Sequence, residues 1–157
     1  MLKKFSFLIP LLLLSISSWA EPSVVPAKVF EEIKASASMK QGDILYIDFW
    51  ASWCNPCRKS FPWMNEMVRK HHSKGFKVLA VNVDKERALA DKFLASINTE
   101  FPVFYDPKGR LATIFDLKGM PSSFIVDYEG NLLMSHKGFF EDREATYEKE
   151  IKSLLTK

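Results

Sequence analysis

Two apolar runs dominate the middle of the chain: residues 44–50 read ILYIDFW and residues 76–84 read FKVLAVNVD. Neither alternates polar with apolar, so each suits a strand covered on both faces. Residues 56–72 between them have the pattern of a helix, which Pro62 is expected to kink. A buried strand, a helix and a second buried strand make a parallel crossover, right-handed almost without exception. That unit sets the fold class as α/β, a central sheet flanked by helices.

The rest of the chain extends this unit. Residues 26–39 carry Phe30, Ile33 and Ala37 at helical spacing, and Gln41-Gly42-Asp43 breaks the chain after them. Leu89, Phe93 and Ile97 recur every four residues and predict another helix, followed by a short strand at 102–105 and a turn at Asp106-Pro107-Lys108-Gly109. Residues 110–116 predict a short helix. Residues 122–127 and 132–137 predict a hairpin, which makes the sheet mixed. Tyr147, Ile151, Leu154 and Leu155 give a last helix an apolar stripe for packing on the sheet. No repeat, low-complexity tract or linker interrupts residues 21–157, which therefore read as one domain.

The first twenty residues stand apart. Lys3 and Lys4 precede a mostly apolar stretch over residues 5–16, and Ser18 and Ala20 occupy positions −3 and −1 of a cleavage site. This is the pattern of a secretory signal peptide, cleaved after Ala20. Pro10 interrupts the stretch, which falls short of the ~20 apolar residues of a spanning helix. Without residues 1–20 the chain keeps 20 Lys+Arg against 19 Asp+Glu, and its net charge falls from +3 to +1. The two signs are mixed along the chain, so nothing offers the basic patch that nucleic acid requires.

Export changes what cysteines mean. The chain has two, Cys54 and Cys57, within FWASWCNPCRKSFP at residues 49–62. Exported domains use cysteines mainly as staples, yet a bridge between these two would close too small a loop to restrain much chain. Cys54 lies where the first buried strand gives way to the helix, with Pro56 suited to the first turn. Unpaired N–H groups and the positive end of the helix dipole favour a thiolate there. Cys54 is thus expected to be the exposed attacking sulfur. Cys57, one turn later, is expected to lie deeper and resolve the mixed disulfide.

A structural zinc site wants about four nitrogen or sulfur ligands, and beyond the cysteines only His71, His72 and His136 remain. His71 and His72 fall at the far end of the helix, roughly 20 Å away by helical rise, and read as surface residues. No metal is expected. Asp48, inside the first apolar run, is costly to bury as a charge. Burial is expected to raise its pKa, which suits a group passing protons to and from Cys57.

FWASWCNPCRKSFP, VLAVNVD, FPVFYDPKGRLATIFDLKGMPSSFIVDYEGN and the C-terminal helix together resemble exported thioredoxin-like proteins of the TlpA/ResA/DsbE type, over essentially all of the chain after residue 20. The resemblance implies a thioredoxin-like fold in which residues 85–105 form an extra helix and strand. It implies a cis Met120-Pro121 step facing the cysteines, which offers backbone to an extended substrate, and an exposed Trp53 beside the nucleophile. Trp53, Asn55, Pro56, Met120 and Pro121 become the expected substrate-binding set, whereas Trp50 belongs to the core. Many members have glutamate three residues after the second cysteine, where this chain has Ser60. Asp48 matches the buried aspartate of thioredoxin, and Ala80 stands where thioredoxin has a nearby lysine.

The implied activity is that of a periplasmic thiol–disulfide oxidoreductase without a cofactor, expected to act as a monomer. It would reduce disulfide-containing exported proteins and be recharged by a membrane thiol electron donor. Cytochrome c maturation, copper-site assembly and disulfide repair are the roles such reductants serve. A disulfide-donating oxidant is the alternative, because direction depends on the relative stability of thiolate and disulfide. A non-catalytic polypeptide-binding module is the alternative of another class.

Overall fold

The structure, a computed structural model, describes residues 25–156. The signal-peptide reading of residues 1–20 lies outside the described residues. Among the described residues, five α-helices and five strands frame the site, beginning with α1 (Ala27–Ala37), β1 (Ile44–Trp50) and α2 (Asn55–His71). β2 (Phe76–Asn82), α3 (Arg87–Leu94), β3 (Val103–Tyr105) and α4 (Arg110–Ile114) follow. The hairpin of β4 (Ser122–Val126) and β5 (Leu132–Lys137) leads to α5 (Glu144–Leu155).

The sheet runs β3-β2-β1-β4-β5. β1 pairs parallel with β2 and β2 with β3, whereas β4 pairs antiparallel with both β1 and β5. Central β1 is buried along its whole length, which explains why its sequence shows no polar alternation. Its side chains still alternate between faces. Leu45, Ile47 and Phe49 pack with Phe30 and Ile33 of α1 and Leu111 of α4. Ile44, Tyr46 and Trp50 pack with Phe61 and Met64 of α2, Phe93 of α3 and Ile151 of α5. Asp48 has the parity of this second group and so faces α2.

Three local expectations are corrected. α3 ends at Leu94, before Ile97, and buries Ala90 and Phe93. Leu89 is 46% exposed and lines a cavity of about 330 Å³ with Ser52, Arg58 and Phe93. The helix turns Ala90 toward the sheet, which leaves its neighbour Leu89 on the outer flank. His71 is not a surface residue but 4% exposed. Its ring lies edge-on to Phe76 of β2, centroids 6.5 Å apart, and its Nε2 lies 3.2 Å from Glu148 Oε1 of α5. His72, next along, is exposed.

Candidate active site

β1 delivers the chain to the top of the sheet, and Ala51 to Trp53 carry it to Cys54, the N-cap of α2. Cys54 is extended, with φ −87° and ψ 96°, and its Sγ accepts the backbone N–H of Cys57 at 3.3 Å. This satisfies one of the donors that a helix start leaves open. Pro56 occupies the first turn, where its missing N–H costs nothing.

Cys54 and Cys57 are joined by a disulfide. Cys57 is wholly buried and Cys54 is 6% exposed. The order of depth agrees with the sequence reading, but Cys54 is far less open than expected, because its sulfur folds back over the helix start. Trp53 beside it is 68% exposed, and Asn55 and Pro56 are exposed as well.

A clamp that the sequence reading did not include holds the segment before Cys54. The Asp84 carboxylate accepts from the Ser52 backbone N–H at 2.9 Å and from the Ser52 hydroxyl at 3.1 Å. Asn82 at the end of β2 donates to the same carboxylate at 2.8 Å. Both residues are buried. The sequence signal was present in Asn82-Val83-Asp84, polar residues closing an apolar strand beside a loop that must be fixed.

Asp48 is 1% exposed and lies in register with Ala80 of β2 and Ser123 of β4. Burial pushes its carboxyl well above the usual range, and hydrogen bonding with Ser60 opposes this more weakly. No lysine stands at Ala80 to favour the charged form. Ser60, itself buried, donates its hydroxyl to the Cys57 carbonyl at 2.8 Å. One side chain therefore touches both the buried acid and the backbone of Cys57.

The start of β4 lies at the same end of the sheet, because Ser122 is in register with Phe49 near the end of β1. The preceding Met120–Pro121 peptide bond is cis. Met120 packs against the apolar group that contains Cys54 and Cys57. Pro121 is buried, and its carbonyl accepts the Gly138 N–H at 2.8 Å. Met120 and Pro121 line a shallow cavity of about 190 Å³ with Lys118 and Lys137. The sequence-predicted residues from β1, α2 and the β4 entry thus converge on one end of the sheet.

A family model described as the AhpC/TSA family matches residues 20–134, from before α1 into β5. The chain belongs to the AhpC/TSA family. Among relatives, it is 31% identical over 98 residues to the thiol-disulfide oxidoreductase ResA of Bacillus thuringiensis subsp. konkukian, a match covering 62% of this chain and 57% of that protein. The chain thus spans little more than half the length of that curated relative. Similarity is greater to the crystal structure of a Chlorobium tepidum protein provisionally named thiol:disulfide interchange protein DsbE. That match is 48% identical with a TM-score of 0.71, over 73% of this chain and 82% of the other. The thioredoxin domain of a Bacteroides vulgatus thiol-disulfide oxidoreductase, 23% identical, shares the fold at a TM-score of 0.60 over 69% of this chain and 79% of its own. This AhpC/TSA family member has a thioredoxin-like fold, with α3 and β3 added on the β2 side of the sheet.

Proposed function

We propose that the chain is an exported thiol–disulfide oxidoreductase working mainly as a dithiol reductant of other exported proteins. The observation that carries this reading is the Cys54–Cys57 pair at the N-terminus of α2, coupled through Ser60 to the buried acid Asp48.

In the reduced protein, the Cys54 thiolate attacks one sulfur of a substrate disulfide and expels the other as a thiolate. The helix N-terminus and the Cys57 N–H stabilise the attacking sulfur. Cys57 then gives its thiol proton to the Asp48 carboxylate, and its own thiolate attacks Cys54 Sγ. The second substrate sulfur leaves as a thiolate. Two electrons have passed to the substrate, and the Cys54–Cys57 disulfide remains, the state present in the structure. A thiol donor in the membrane restores the dithiol.

Exposed Trp53, Asn55 and Pro56 form one wall of the substrate site and Met120 with Pro121 the other, where an extended polypeptide can pair with backbone. Residues 21–157 act as one monomeric domain in the periplasm after removal of residues 1–20. Equilibration against a glutathione or thioredoxin redox buffer tests the direction of electron flow. A potential near the about −270 mV of thioredoxin is expected; one near the about −120 mV of DsbA would make the protein an oxidant.

A further inference from the structure

The face of the sheet that carries Asp48 holds more polar side chains than the cysteine chemistry uses. Asp48 on β1 is in register with Ser123 on β4, and Ser123 with His136 on β5. Cross-strand partners share a face, so the three form a row running away from the cysteines toward the β5 edge. The Ser123 hydroxyl lies 3.4 Å from His136 Nδ1, and His136 Nε2 lies 2.9 Å from Glu150 Oε2 on α5. Tyr46, two residues before Asp48 on β1, is buried on the same face of the sheet.

The row changes from buried to wet along its length. Asp48 and Ser123 are 1% and 3% exposed, whereas the side chains of His136 and Glu150 are 12% and 31% exposed. At the inner end, Asp48 Oδ2 is buried without a hydrogen-bond partner. Polar groups are costly in such a place unless they are paired, and α5 covers these ones, with the Tyr147 ring centroid 4.9 Å from that of His136.

We propose that His136 is the proton-exchange partner of Asp48, joining the buried acid to solvent across the sheet through Ser123 on one side and Glu150 on the other. The proposal rests on the reading of Asp48 as base for Cys57. An acid held neutral by burial must release its own proton before it can take the one on Cys57. Imidazole accepts at one nitrogen and donates from the other, so a proton reaching Nδ1 is matched by one leaving Nε2 for the Glu150 carboxylate and then water. Asp48 is left as carboxylate, and no electrons move.

The other groups facing Asp48 do not provide this exit. Cys57 is the group Asp48 serves, the buried Ser60 leads only back to the Cys57 carbonyl and not to solvent, and Ala80 is apolar. The groups facing His136 are Ser123, Tyr147 and Glu150. His136 is therefore a positioning residue, acting through Asp48.

The test is the rate at which Cys57 resolves a mixed disulfide on Cys54, followed by stopped flow across pH in dilute buffer. His136→Ala is expected to slow resolution at least about tenfold, part of the ~10²–10⁴ that a general base contributes. Added imidazole is expected to restore the rate, which repair of a packing defect would not require. His136→Phe retains a ring against Tyr147 and is expected to show the same slowing without rescue. In an Asp48→Asn background, His136→Ala is expected to change nothing further. A wild-type rate and pH profile in His136→Ala would overturn the proposal, as would slowing that imidazole leaves untouched or that persists equally in Asp48→Asn. Wild-type resolution by Asp48→Asn alone at every pH would instead remove the base itself, and the His136 role with it.

Discussion

Replacing Cys54 by serine is expected to bring reduction of protein disulfides down to the uncatalysed background, a loss of at least about 10³-fold for removal of a nucleophile. A hydroxyl forms no disulfide, so neither the attack nor the mixed intermediate survives. Serine is a good N-cap and can accept the Cys57 N–H that Cys54 Sγ accepts now. The helix start is therefore retained, and the loss reports chemistry and not unfolding. The check is turnover of a protein disulfide with a dithiol donor, together with a circular dichroism spectrum unchanged from the wild type.

Asp48→Asn is expected to remove most of a large pH-dependent penalty on stability. Burial raises the Asp48 carboxyl well above its ordinary value of 3.8. Below that value both folded and unfolded chains hold the proton, and Asp48 imposes no pH-dependent loss. As pH rises above 3.8, the unfolded chain releases the proton while the folded chain keeps it. Stability then falls by about 1.4 kcal/mol per pH unit until the raised folded value is reached. With the disulfide kept oxidised, urea unfolding from pH 4 upward is expected to show Asp48→Asn gaining on the wild type at that slope. A difference between the two proteins that does not vary with pH would mean that Asp48 is not held neutral.

The elements were legible in the sequence wherever one period dominated. ILYIDFW gave a strand without alternation because β1 is buried on both faces, and Asp48 was conspicuous as its one acid. The candidate site was legible at Cys54 and Cys57 because strand, proline and paired cysteines fall together at one helix start. What escaped was set by register and by side chains distant in sequence. Asp84 clamps Ser52 from the end of β2, and only the parallel pairing of β1 with β2 brings them together. Ser123 and His136 line up with Asp48 through the pairing of β1, β4 and β5, which no local pattern specifies. His71 read as a surface residue because a helix C-terminus is usually wet. Its burial depends on α5 returning across α2 with Glu148.

In the proposed reaction Cys54 attacks and Cys57 resolves. A reduced Cys57→Ser variant, incubated with a protein carrying an accessible disulfide and quenched with acid, tests it by mass spectrometry. A stable adduct with one substrate chain on Cys54 is expected, and none from the corresponding Cys54→Ser protein under the same conditions. An adduct that forms as readily on Cys57 in Cys54→Ser, or no adduct on Cys54 at all, would contradict it.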